Sequence, residues 1–493
     1  MTDPRKMSTP RSMAPRHVAV VDIGKTNAKL ALVDVAAHAE VAVVTMANRV
    51  VADGPYPHFD EAALRDFCLS GLAGFHRDHG IDAISITTHG ATAALIGDDG
   101  ALALPVLDYE HDGPEETRDA YDRIRPPFAE SGTPKLPQGL NLGAQLFWQE
   151  RAFPQAFART KLILPYPQYW AFRLTGVAAG EATSLGCHTD LWAPRRRDWS
   201  SMVDGLGWRG KMPPLRSAFD VLGPVEPGLA ARLGLPAGLP VHCGLHDSNA
   251  SLLPHLVTRR PPFTVVSTGT WVIVLAVGAE GGDAGGGIPD GLDPARDTLV
   301  NVNALGDPVA SARFMGGREF SNAMGESAAV ATSEDLARVL GAGVMVLPSL
   351  QPGCGPYPQR PGGWSHPPET LGPGTRAAAL SLYLALMTAT CRDLVHGDGP
   401  TVVEGPFARN AVFLAMLAAV TGRAVVAGGA SATGTSFGAA LLAAGPGASE
   451  THPAEDPPRP PDPALLAYAA RWRAAVAGDQ PAVAVSSSSG AAP

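Results

Sequence analysis

Lysine is scarce in this chain of 493 residues: six of the 38 basic residues, set against 47 acidic ones for a formal charge of −9. That balance excludes a general nucleic-acid binder, whose phosphate contacts need a basic face, and the preference for arginine reads first as a GC-rich coding bias. Cysteine is equally sparse. Cys68, Cys187, Cys243, Cys354 and Cys391 lie far apart with no CxxC pair, which excludes a structural zinc of the usual spacing and a thioredoxin-type redox site. Their odd number suits reduced, mostly buried thiols in a cytoplasm. Long hydrophobic runs are missing too. Residues 1–16 are basic and carry proline and serine, and the first apolar stretch, Val18 to Val21, is too short for a signal peptide or a membrane span. These absences predict a soluble, cytoplasmic protein with a flexible N-terminus and no membrane partner. Glycine (55) and proline (46) are abundant, so turns should be plentiful. With 45% hydrophobic and 17% charged residues the chain is globular, and its length suggests two or three domains.

The segment HVAVVDIGKTNAKLALVDV (17–35) reads as strand, small-residue turn, strand, followed by a third strand at 41–48. A helical pattern at 59–75 has Asp60 placed to cap it, 83–90 returns as a buried strand, and Asp98-Asp99-Gly100 marks a hairpin. The opening recurs in FTVVSTGTWVIVLAVG (263–278), after which helices at 378–395, 408–422 and 435–445 alternate with strands at 401–406 and 424–430. This weak duplication predicts two similar α/β domains across a cleft, where small-ligand sites form. Residues 451–463 are proline-rich and acidic, and 486–493 form a low-complexity tail expected to be disordered.

Three segments carry chemistry. In DIGKTN (22–27), a tight turn of Gly24, Thr26 and Asn27 offers backbone N–H, hydroxyl and amide donors that suit a phosphate nest. Asp22 is placed to hold Mg²⁺ through water, with Lys25 and Thr26 facing phosphate oxygens; an ordinary hairpin with a buried strand-end aspartate has the same signature. STGTW (267–271) puts Ser267, Thr268, Gly269 and Thr270 at the matching point of the second half, as the other jaw of a phosphate clamp. Between them, LPVHCGLHDSNAS (239–251) offers Asp247 as a general base for a substrate hydroxyl. Two other readings of that segment stay open: a core histidine with a capping aspartate, and an HxxxHD metal site of His242, His246 and Asp247. The metal site would need helix across 242–246, which Pro240 and Gly244, with Ser248 and Asn249 after them, disfavour. The glycine-bearing turns of VEGPFARN (403–410) and AGGASATGTSFGAA (427–440) let a base or ribose lie against backbone.

Taken in order, these segments resemble the FGGY carbohydrate kinases of the actin-like ATPase superfamily. DIGKTNAKLALVD is similar to the family's first phosphate motif, STGTW to its second, GLHDSNAS to its G-x-H-D catalytic segment, and VEGPFARN with GGASATGTSFGAA to its adenosine motif and closing helix. NLGAQLFW (141–148) and YWAFRLTGVAAGEATS (169–184) add support, so that the likeness covers residues 17–445. It implies an α/β fold of two ribonuclease-H-like domains flanking a central cleft, with sugar and catalytic base in 17–253, nucleotide in 254–447, and a Pro-rich segment and tail in 448–493. The implied reaction is phosphoryl transfer from ATP, with Mg²⁺, to a hydroxyl of a small sugar. Asp247 would be the base, Asp22 the Mg²⁺-associated carboxylate, and Gly24, Lys25, Thr26, Asn27, Thr268, Gly269 and Thr270 the phosphate contacts. Gly405, Asn410 and Gly429 would line the nucleotide side, and His89, Thr92, Asp108 and His246 the sugar.

ITTHGATAALIGDDGALALPV (86–106) is most like the L-fuculose and L-rhamnulose kinase branch, but Thr92 replaces the substrate-binding aspartate and His89 the aromatic residue. The usual glycine triplet of the adenosine motif reads Glu404-Gly405-Pro406. Kinases of another pentulose or polyol (xylulose, ribulose or erythritol type), a catalytically inactive sugar-sensing relative and the HxxxHD phosphohydrolase are the competing readings. Sugar and ATP are the expected small-molecule partners, and a homodimer is the commonest state of a soluble enzyme.

Overall fold

The computed structural model describes residues 15–278, 289–428, 434–446 and 460–478. Two sheets of the same plan organise them. In the first, His17–Ile23 and Asn27–Asp34 form an antiparallel hairpin, Ala39–Ala47 extends it antiparallel, and Ala83–Thr88 and then Pro240–His242 join parallel to the first strand on its other side. The second repeats the order with Phe263–Thr268, Val272–Val277, Pro308–Phe314, Thr401–Glu404 and Val425–Ala427. The duplication read in the sequence is thus a duplication of topology. Val18–Val21 are all buried because the central strand is covered on both faces. One face carries the helix Glu61–His79, whose N-cap Asp60 accepts from the Ala63 N–H at 3.0 Å.

The other face of the first sheet is covered from the second half. Helix Gly434–Leu441 lays Ala439 and Ala440 against Val18, Val20 and Ala83, and Ser85 Oγ donates to the Ala439 carbonyl at 2.7 Å. Its Gly438 lies so close to helix Asp247–Thr258 that a Cβ would stand 1.8 Å from the Ala250 oxygen. Between the fourth and fifth strands of the first sheet the chain inserts a separate core around Trp148, Trp192, Trp199 and Trp208.

One expectation holds and another needs correction. Helix Asp247–Thr258 starts just after the stretch 242–246 that was expected not to be helical, and takes in Ser248 and Asn249. They occupy its first turn, where backbone N–H groups lack intrahelical partners and small polar residues are favoured. The chain end, by contrast, is more than a Pro-rich segment and tail. Helix Pro463–Ala477 buries Leu465, Tyr468 and Trp472 in the second-half core, and its Tyr468 hydroxyl and Trp472 indole donate to the carbonyls of Val344 and Val346. All five cysteines are free, and four of them are buried. Among the described residues no helix is long and apolar enough to cross a membrane. Most of the 1–16 segment, Gly429 and the 486–493 tail lie outside the described residues.

Candidate active site

Asp247 is the first residue of its helix, immediately after the short strand Leu245–His246 that pairs with Thr87 and Thr88. The chain reaches this point through Gly244, at φ +80°, where a Cβ would meet the Ile86 oxygen at 2.5 Å, so glycine is required. The turn is fixed from behind by a relay. The His246 N–H donates to Thr183 Oγ1 at 3.0 Å, and the Thr183 hydroxyl donates to Glu181, which also accepts from the N–H groups of Thr183 and Ser184. This gives the GEATS stretch a positioning role. Asp247 Oδ1 accepts from the Ser248 N–H at 2.6 Å and lies 3.2 Å from His246 Nε2, leaving Oδ2 without a partner among the described residues.

Asp247 opens on a cavity of about 280 Å³ built from both halves. His89, Tyr109, Cys187, His188 and His246 come from the first half, and Trp271, Asn301 and Arg313 from the second. His89 Nδ1 lies 3.0 Å from the Gly90 carbonyl, so that nitrogen carries the proton, while the buried Nε2 has no partner. Burial pushes this imidazole down to about 4, against the pull of Gly90 and Asp247, so the ring stays neutral and Nε2 is a free acceptor. Beside it, His246 Nε2 and Cys187 Sγ are 3.6 Å apart. Burial resists charge on both, yet His188 and then His246 draw the thiol down, and Cys187 with Asp247 draws the His246 imidazole up.

Of the expected sugar contacts, His89 and His246 line this cavity. Thr92 and Asp108 do not. Thr92 is buried behind His89, with Oγ1 3.4 Å from its Nδ1. Asp108 is taken up by Lys25, and its neighbour Tyr109 is the residue that lines the cavity. Lys25 is the matching correction. Its ammonium pairs with Asp108, lies 3.4 Å from Glu110, and sits over the rings of Tyr109 (4.9 Å) and Phe59 (5.1 Å), rather than standing free for phosphate. The cause is local: two carboxylates and two π faces surround this one cation.

The first turn itself is closed by the Gly24 N–H donating to the Asn27 carbonyl at 2.9 Å, and Asn48 holds the Gly24 carbonyl from below. Thr26 and Asn27 are exposed. Asp22, on the strand leading in, has no hydrogen-bond partner among the described residues. Burial pushes its carboxyl up to about 7, with Asp247 and Glu40 adding repulsion and Lys29 opposing them. Lys29 faces Asp22 across the hairpin and pairs with Glu40 at 2.5 Å; sequence reasoning gave it no role because the donors it weighed were those of the turn, 22–27. An acid crowded by two others suits a divalent cation, and this is the fit Asp22 offers to Mg²⁺. Among the described residues no three His, Cys, Asp or Glu side chains converge as a metal cage. His242 turns away to the Phe219 carbonyl at 2.9 Å, so the HxxxHD ligand set does not assemble.

The second turn borders a larger cavity of about 720 Å³, lined by Thr268, Gly269, Thr270, Phe320, Ser381, Phe407 and Asn410. Thr268 departs from its expected role: its hydroxyl donates to the Glu404 carbonyl and accepts from the Phe407 N–H at 3.1 Å, tying the turn to the next loop. Thr270 is exposed, and its hydroxyl has no partner among the described residues. Asn410 caps helix Ala411–Thr421 by accepting from the Phe413 N–H, and its amide donates to Ser381. Gly405, at φ +79°, leaves no room for a side chain, since a Cβ would stand 2.0 Å from the Thr268 oxygen. Gly317, which the sequence reading did not single out, is as tight against Gly269, at 1.9 Å from its oxygen. Gly405→Ala is therefore expected to cost about 1–3 kcal/mol and to push the second turn out of place. Gly341→Ala, whose Cβ meets nothing within 4 Å and which lines neither cavity, is the control. Nucleotide affinity measured by calorimetry should collapse only in the first.

Comparison with known proteins agrees with this geometry. Residues 17–254 match the N-terminal domain of the FGGY family of carbohydrate kinases, and residues 260–452 match a carbohydrate kinase FGGY C-terminal domain. A carbohydrate kinase from Novosphingobium aromaticivorans has a crystal structure that superposes with a TM-score of 0.84 at 37% identity, over 94% of this chain and 99% of that one. The L-fuculokinase of Escherichia coli K12 is 28% identical over 206 residues, 41% of this chain and 42% of its own length. The ligand-bound xylulose kinase from Lactobacillus acidophilus shares the fold, with a TM-score of 0.73 at 16% identity over 94% and 96% of the two chains. Two matched domains that together span most of the sequence, on the duplicated topology described above, make this chain a member of the FGGY family of carbohydrate kinases.

Proposed function

We infer that the protein transfers the γ-phosphoryl group of ATP to a hydroxyl of a small sugar, a ketose of the L-fuculose or L-rhamnulose type. The observation that carries this reading is the position of Asp247. Asp247, with Oδ2 unengaged among the described residues, lines a cavity of sugar size, about 280 Å³, with walls drawn from both halves, and the second turn lines a cavity of nucleotide size beside it. In this reading Asp247 accepts the acceptor proton, and neutral His89 accepts a second sugar hydroxyl in place of the carboxylate that Thr92 lacks. Thr270 and the exposed donors of the Gly24–Asn27 turn bind phosphate oxygens. Mg²⁺ held through water at Asp22 would supply charge neutralisation on the polyphosphate. Closure of the two halves over the acceptor excludes water and limits wasteful hydrolysis of ATP.

The test is ADP release from ATP across ketoses, aldoses and C4–C6 polyols. The expected result is release that depends on one class of acceptor, with the 6-deoxyketuloses preferred. Release that needs no acceptor would favour a phosphohydrolase, and nucleotide binding without turnover on any acceptor would favour a sensing relative.

A further inference from the structure

Phosphoryl transfer spreads negative charge over the moving group, and enzymes meet it with cations placed where that charge develops. The two lysines nearest the first turn are spent: Lys25 on Asp108 and Glu110, Lys29 on Glu40. Arg318 and Arg409, on the larger cavity, are exposed, and that cavity does not include Asp247. One arginine differs from all of these. Arg313, on strand Pro308–Phe314, lines the same cavity as Asp247 with a side chain only 14% exposed. Its guanidinium makes no hydrogen bond among the described residues. The nearest carboxylate oxygen, Asp297 Oδ1, is 3.5 Å away, while Asp297 Oδ2 is fixed by the Gly355 N–H at 2.6 Å. Nε, the atom of that ion pair, is buried without a hydrogen bond. A largely buried fork of donors that makes one long ion pair and no hydrogen bond is costly to hold unless a ligand completes it.

The fork is also held in place. Trp271, next to Thr270 of the second turn, lies 4.8 Å from the guanidinium, and Ile273 pairs with Arg313 across the sheet. The cation is therefore held in the wall of the Asp247 cavity, against the residue that follows Thr270 of the second turn.

We propose that Arg313 is a further catalytic residue, whose guanidinium grips the oxygens of the phosphoryl group in transit from ATP to the acceptor hydroxyl. The proposal rests on the kinase reading above. In the step, the bond from Pγ to the ADP bridging oxygen breaks, the bond from Pγ to the acceptor oxygen forms, and the acceptor proton passes to Asp247. Arg313 exchanges no proton and supplies charge and a two-pronged grip alone, which a lysine's point charge reproduces only in part.

Two arms test it. In steady-state kinetics, Arg313→Gln should lower kcat about 10³-fold while the acceptor KM changes by no more than about threefold. Arg313→Lys should fall between, and free guanidinium should restore part of the activity of Arg313→Ala. The second arm needs no acceptor: MgADP with orthovanadate, an analogue of the moving phosphoryl group, should bind the wild type more tightly than MgADP alone, and Arg313→Gln should lose that gain while keeping MgADP affinity. A failed acceptor panel would thus sink the kinase reading, whereas the vanadate arm reports on Arg313 directly. Unchanged kcat in Arg313→Gln, a raised acceptor KM with kcat intact, or an equal loss in all three variants with lowered Tm and no guanidinium rescue would each overturn the assignment.

Discussion

Asp247→Asn should abolish acceptor-dependent ADP release, lowering kcat by about 10²–10⁴-fold, while nucleotide affinity and Tm stay close to wild type. The amide keeps the hydrogen bond that Oδ1 accepts from the Ser248 N–H and preserves the start of the helix, but it cannot accept the acceptor proton. The larger cavity is lined by other residues, so calorimetric titration with ADP should give an unchanged Kd. Turnover equal to wild type would remove Asp247 as the base. A loss of both turnover and ADP binding would mean that its main work is to hold the helix terminus.

The second large effect separates stability from function at one residue. Asp22 titrates near 7 in the folded protein, against 3.8 for an unperturbed aspartate. Between about pH 4 and pH 7 the native state therefore holds more protons than the unfolded chain, and this group's contribution to stability falls as pH rises through that window, then levels off. Asp22→Asn removes the crowded charge and should raise stability at pH 8 by on the order of 1–3 kcal/mol. At pH 4.5 wild-type Asp22 is already protonated, and the difference should vanish. Activity should move the other way, falling about 10²-fold or more with loss of the carboxylate that fits Mg²⁺. Thermal melts at the two pH values, with and without MgADP, read both effects; a variant less stable than wild type at pH 8 would refute the picture of repelling carboxylates.

Much of this site could be read before any coordinates, and the reasons are physical. Turns between strands buried on both faces have to be made of small polar residues, so DIGKTN and STGTW stood out against apolar flanks, and both are hairpin turns at equivalent points of two like sheets. His246 and Asp247 were legible for the same reason. Side-chain partners were not. Lys25 reads as a phosphate ligand until Asp108, 83 residues on, is found against it, and Thr268 reads as a free hydroxyl until the Glu404 carbonyl claims it. Arg313 gave no local signal at all, being one charged residue in a strand of small apolar ones. Helix Asp247–Thr258 was not foreseen, because the small polar residues of its first turn, Ser248 and Asn249, are turn formers as well.

That helix is about 18 Å long at 1.5 Å per residue, and its far end is anchored outside its own half. His255 hydrogen-bonds Glu404 at 2.8 Å, immediately before Gly405, and Ser251 meets Thr435 at 2.9 Å. Asp247, the proposed base, is thus the tip of a strut whose foot stands on the strand that leads into the 406–410 wall of the larger cavity. On the proposed reading, a nucleotide that shifts that wall is expected to shift Asp247 along this one helix.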